Sequence, residues 1–317
     1  MKRYFSISLT LFAFSALNAI TYILLGIVMG NTQFSEVFSI TYPLQFVVAI
    51  LISFFASASN VRANKENDRN CVESGMLLGV IVGIIILGLV AFFVNEYLAF
   101  MNVSSEIYRT FTLMAIGQLF FTFVNNLTTE KLYFKDEDKK ANLCNLGFII
   151  LNLLSVVITA LITKNQLIIC LTNLGCLFVY SCVWFVLTFK KFKFNFNPIK
   201  NLKYESVTLV SNLFMLIVYL FGYSTAFSFG SEFIVTLNFV NLITDPQWDA
   251  VEAINKIAKI EISNSNYNYK KALIKSTVIT LFYIATSIIL FFSLFKVYNA
   301  VLYIGLIYIA IQLQICY

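Results

Sequence analysis

The sequence contains no histidine. That removes the commonest general base, the commonest metal ligand and the side chain that changes charge near neutral pH. Charge is scarce as well: 12% of the 317 residues are Asp, Glu, Lys or Arg, against roughly 25% in a soluble domain. Six cysteines, at 71, 144, 170, 176, 182 and 316, form no C-x-x-C pair. Most fall inside apolar runs and read as buried small hydrophobes rather than a disulfide framework or a zinc site. No nucleotide-binding motif and no convincing nucleophile–base pair is present. A membrane enzyme is therefore a poor reading, and neither a cofactor nor a nucleic-acid partner is expected.

What the chain has is apolar surface. Hydrophobic residues make up 59% of it, with 33 Phe and 17 Tyr, and the mean hydropathy is +0.82. No soluble core needs that much, so the solvent is mostly lipid. The opening, "MKRYFSISLTLFAFSALNA", has the basic start and small-residue end of a secretory leader. Apolar character continues unbroken to Gly30, however, and the segment reads as a first transmembrane helix.

A span needs about 20 apolar residues. Ten segments qualify, near 4–30, 35–58, 74–100, 108–130, 143–163, 166–189, 206–229, 231–255, 272–295 and 298–316. Backbone satisfaction in lipid makes them helices, so the fold class is an all-α integral membrane protein. Of 22 Lys and Arg residues, 19 lie at the N-terminus or in the connections after even-numbered spans, and three in the others. The positive-inside rule then places the N-terminus in the cytoplasm. The longest basic connection, "KKFKFNFNPIKNLKYES", alternates Lys with Phe, as segments lying along headgroups do.

That connection separates two similar halves. Ser35-Glu36 opens span 2 and Ser231-Glu232 opens span 8. Asn60-x-x-Ala63-x-x-Glu66 is matched by Asn255-x-x-Ala258-x-x-Glu261. Ile116-Gly117 in span 4 is matched by Ile304-Gly305 in span 10. The halves run 1–195, with six spans, and 196–317, with four of an expected six. By this measure two helices beyond Tyr317 are expected.

The stretch "ITYILLGIVMG…FSEVFSITYPLQFVVAILISFFASASNVRANKENDRNCVESGMLLGVI" resembles the multidrug and toxic compound extrusion (MATE) transporters of the multidrug/oligosaccharide-lipid/polysaccharide flippase superfamily. "TDPQWD" in span 8 resembles a version seen in some bacterial members. The resemblance implies two six-helix lobes, a bacterial inner-membrane location, and export of amphipathic or cationic small molecules by antiport with H⁺ or Na⁺. It also implies alternating access, and a monomer is expected. A lipid-linked oligosaccharide flippase is the alternative within the superfamily. Basic cavity residues would favour it, and the spans lack them. A non-transporting remnant is a third reading. Many bacterial members carry an aspartate in span 1; by spacing that place is Thr21, so no carboxylate site carries over to the first half.

The acids lie in span 8. Asn238, Asn241, Asp245, Asp249, Glu252, Lys256 and Lys259 recur at intervals of three or four, forming one polar stripe on an apolar helix. Each mid-membrane carboxylate costs roughly 2.5–3.5 kcal/mol to insert. An ion pair with a neighbouring helix is the simple explanation, yet the other spans offer almost no mid-membrane Lys or Arg. The functional reading is a cation site, for H⁺ or Na⁺, at Asp245 and Asp249 with Glu252 beside them. Glu252 is expected to pair with Lys256 one turn on. Further cavity lining is expected from Asn18, Thr21, Gln118, Asn125, Asn126, Asn212, Tyr219, Asn238 and Asn241, each of which equally suits helix–helix hydrogen bonding. Glu36 and Glu232 are expected at the outer mouths, in solvent.

Overall fold

The computed structural model describes residues 2–190, 193–264 and 268–290. The tenth expected span, the end of the ninth and Cys316 lie outside the described residues. Within them the chain is helical: α1 (Lys2–Met29), α2 (Glu36–Thr41), α3 (Leu44–Leu51), α4 (Ala58–Glu66), α5 (Asn70–Phe92), α6 (Val94–Phe100), α7 (Ser105–Phe134), α8 (Asp138–Ile162), α9 (Gln166–Thr188), α10 (Pro198–Ser228), α11 (Ser231–Ser263) and α12 (Tyr269–Leu290). Seven helical segments are long and apolar enough to cross a membrane. The helix α11, expected as span 8, is not among those seven; its acids and lysines break the run.

The second span is assembled from pieces, and each break has a cause. Pro43 lacks a backbone donor and forms a turn between α2 and α3, as proline in an apolar helix does. One extra residue per turn then gives a π-helical segment, Ile52–Ser57, before α4. The carbonyl of Phe54 in that segment accepts a hydrogen bond from Asn201 Nδ2 on α10 at 2.9 Å. Such an irregular turn survives in a membrane only where a neighbour satisfies it.

The helix α1 packs against both α8 and α11. The helices α7, α8 and α9 pack mutually, and α5 lies on α7. The helix α10 lies on α3, the π-helical segment and α4. A seam therefore runs between α1–α9 and α10–α11. Two hairpins, α1 to α2 and α10 to α11, turn on glycines in the left-handed region, Gly30 (φ 67°) and Gly230 (φ 105°), where a side chain would be strained. Large apolar side chains of α5, α8, α9 and α10 such as Phe92, Ile162, Leu187 and Val207 are exposed, as befits surfaces meeting lipid. Of the cysteines, Cys71, Cys144 and Cys170 are buried, whereas Cys182 is exposed.

Ion pairs join the helix ends where Lys and Arg cluster, the basic end of the bundle. Lys131 of α7 sits 2.6 Å from Glu73 of α5, both nearly fully buried, and also donates to the Thr188 carbonyl of α9 at 2.6 Å. One ammonium thus ties three helices. Arg3 bridges α1 to Asp136 and Asp138. Lys259 holds Glu205 at 2.9 Å, joining α11 to α10.

Candidate functional site

The polar stripe of α11 meets the seam. Asp245 is 7% exposed, and its hydrogen-bond partner comes from the other half of the chain. Tyr42, at the turn before Pro43, donates its hydroxyl to Asp245 Oδ1 at 3.0 Å. The second oxygen, Oδ2, is buried and has no hydrogen-bond partner among the described residues. Pro246 follows within an unbroken helix; it removes a donor and leaves the carbonyl one turn earlier without its helical partner. An unsatisfied buried polar atom costs about 1–3 kcal/mol, more if charged. Asp245 therefore has a vacant acceptor facing the seam.

Asp249, one turn on, lies on the same face. Ser15 of α1 reaches its carboxylate, and the charges of Glu252 and Lys256 act on it. Tyr42 belongs to an aromatic cluster. Tyr42 packs against the rings of Tyr219 and Tyr223, both with centroids 5.3 Å away. Phe46 stacks on Tyr219 at 4.9 Å. Asn241 donates to the Tyr223 hydroxyl. Tyr219 thus reaches Asp245 through Tyr42, Asn241 lies one turn before Asp245 on α11, and the Asn238 side chain lies outside the described residues.

Other residues singled out in the sequence are placed elsewhere. Gln118 is buried in a network within α1–α9. It accepts from Tyr22 at 2.5 Å and donates to Asn152 and Asn173, each at 2.9 Å. Asn125 donates to Asn145 at 2.8 Å. Both join helices α7 and α8, and Gln118 joins α1 and α9 too. Thr21 is buried and bonds back to the Leu17 carbonyl at 2.7 Å. Asn18 and Asn126 are half-buried. Asn212 approaches the Ser53 hydroxyl of the π-helical segment at 3.4 Å.

Two expectations are corrected. Lys256 pairs with Glu130 of α7, not with Glu252: Nζ to Oε2 is 3.0 Å. The reason is tertiary. The seam brings Glu130 against α11 while Glu252 remains exposed. Glu36, expected in solvent, is 6% exposed because the turn after Gly30 folds α2 against α7, where the Tyr108 hydroxyl donates to it. The Glu232 side chain lies outside the described residues. Sequence reading also missed Tyr42, which acts across 203 positions. Its one local signal was a proline inside an apolar span.

The chain superposes over 96% of its length on an outward-facing multidrug-resistance MATE family transporter of the MOP superfamily, covering 74% of that chain, with TM-score 0.68 and 16% identity. A MATE protein solved in complex with MaD5 is matched over 99% of this chain and 78% of its own, with TM-score 0.63 and 15% identity. Another, in a straight conformation, gives TM-score 0.61 at 14% identity, covering 90% of this chain and 69% of that one. No family model and no curated protein matches the sequence. The fold is MATE-like, that of a multi-pass helical membrane protein, as the local resemblance had implied.

Proposed function

We propose that the protein is a secondary active transporter that exports amphipathic or cationic compounds in exchange for H⁺ or Na⁺. It would sit in a bacterial inner membrane with its N-terminus in the cytoplasm. Two lobes, 1–195 and 196–317, move against each other about the seam. The observation that carries this reading is the buried Asp245, whose Oδ2 has no partner among the described residues and whose Oδ1 is held by Tyr42 of the other lobe, with Asp249 one turn away. An acid in that position is costly to insert. A cation shared by Asp245 and Asp249 would offset that cost.

Occupancy then has a mechanical consequence. The cation neutralises α11 where it touches Tyr42, and so changes the energy of keeping the lobes together. Loss of the cation leaves a buried charge that favours separation and hydration. A ligand that binds two arrangements unequally shifts their populations by that difference. The MATE-like fold supports the transporter class; the acids support the coupling.

The test is transport in proteoliposomes, using protein from the full reading frame under imposed H⁺ or Na⁺ gradients. Gradient-driven movement of a fluorescent organic cation is expected for the wild type. Asp245→Asn and Asp249→Asn should insert and fold at normal yield but transport without ion dependence, or not at all. Transport with unchanged ion dependence in both folded variants would overturn the assignment of the site.

A further inference from the structure

Lys256 stands between two carboxylates. Across the seam its Nζ is 3.0 Å from Glu130 Oε2, in a pair whose side chains are 16% and 2% exposed. The other Glu130 oxygen accepts from Ser57 at 2.8 Å, the last residue of the π-helical segment. The Tyr133 ring lies 5.5 Å from the ammonium. On its own helix, Glu252 sits one turn before Lys256, exposed and in no ion pair among the described residues. A Glu four residues ahead of a Lys is the favourable order on a helix. The charges of Glu130 and Glu252 both act on Lys256.

Breaking a buried ion pair by removing one partner is expensive, because the other charge is left uncompensated. Parting α11 from α7 would do this to Lys256 and Glu130 if neither had an alternative. Lys256 has one in Glu252, and Glu130 keeps Ser57. We infer that Lys256 is a positioning residue shared between the lobes, held by Glu130 while the seam is closed at its basic end and handed to Glu252 as that end opens. The inference rests on the proposed lobe movement.

The handover also reaches the acid pair. Glu252 is one carboxylate whose charge acts on Asp249. While Lys256 is with Glu130, Glu252 adds its negative charge to the field that holds a cation at Asp249. When Lys256 moves to Glu252, that charge is neutralised and the cation is held less strongly. Opening the basic end and releasing the cation are then one event. The sign suits a cation that enters from the opposite side and leaves at the basic end.

Asn64 provides a gauge. Its Nδ2 donates across the seam to Ser263 Oγ at 3.0 Å and to Asn264 Oδ1 at 2.9 Å. The experiment is oxidative cross-linking of Asn64→Cys with Ser263→Cys in a Cys182→Ala background. Cross-linking is combined with Glu130→Gln, Glu252→Gln, or the reversed pair Glu130→Lys with Lys256→Glu. Glu130→Gln should lower the cross-linked fraction several-fold. Glu252→Gln should raise it above the parent and slow thiol labelling of the same cysteines. The reversed pair restores the closed ion pair but leaves Glu252 with no cation to receive, so its fraction should return to the parent value or exceed it, which separates a lost ion pair from misfolding. Equal shifts in the same direction for Glu130→Gln and Glu252→Gln, or no shift in either, would overturn the inference. The readout is seam geometry, so the expected pattern with no gradient-driven transport would remove the proposed function and leave the handover standing.

Discussion

Tyr42→Phe isolates the hydrogen bond that joins the halves at the acid pair. The ring packing survives the change, since the contacts at 5.3 Å to Tyr219 and Tyr223 use the ring and not the hydroxyl. What goes is the 3.0 Å donation to Asp245 Oδ1. With Oδ2 already unpartnered, the carboxyl is left with no donor among the described residues. A hydrogen bond to a charged group contributes about 1.5–3 kcal/mol. If the ionised carboxylate and its hydroxyl hold the cation together, losing that contribution corresponds to roughly 10- to 150-fold in the half-saturating concentration of the coupling cation. The assay is initial rate of gradient-driven transport against cation concentration, with folded yield by size-exclusion chromatography as control. A well-folded Tyr42→Phe protein with an unchanged half-saturating concentration would refute the argument that Tyr42 organises Asp245 for cation binding.

Further expectations concern the scaffold. Removing one partner of the buried Glu73–Lys131 pair, as in Glu73→Gln, should cost about 3–5 kcal/mol and lower the melting temperature in detergent, while Glu73→Leu with Lys131→Met together should recover much of the loss. An equal loss in the double variant would show that the pair is not what Lys131 contributes. Gly75→Ala should destabilise by about 1–3 kcal/mol, because a Cβ there would lie 2.4 Å from the Phe55 carbonyl of the π-helical segment, whereas Gly88→Ala, with nothing within 4 Å, should be neutral in the same melt. Cysteines introduced at Asn31 and Lys164 should react with an impermeant thiol reagent outside cells, and those at Lys65 and Lys139 should not. The reverse pattern would invert the orientation assigned from the basic residues.

Much of the architecture was legible because lipid imposes a simple code. Among the described residues, apolar runs of span length became helices, and the acids of span 8 stood out because their three- and four-residue spacing needs only one helix to be read. Pairings between helices were not legible. Glu252 and Lys256 satisfied a local rule, and Glu130, 126 positions away, overrode it. Tyr42 carries a hydroxyl like many others in a chain with 17 tyrosines; only the packing of α11 against α2 brings it to Asp245. Glu36 was misjudged because its place at a span edge said nothing of the turn that folds it inward. The amide of Gln118 had two equally good readings, and its distances to Tyr22, Asn152 and Asn173 show a network joining four helices.

The central claim, that Asp245 and Asp249 form the cation site, is tested most directly by equilibrium cation binding to the purified protein. The readouts are radioactive Na⁺ retention and proton uptake in weakly buffered detergent solution. The wild type is expected to bind one of the two cations saturably. Asp245→Asn and Asp249→Asn, monodisperse and thermally stable, are expected to lose that binding, with Ser53→Ala unchanged. Saturable binding of wild-type affinity in both aspartate variants would contradict the account.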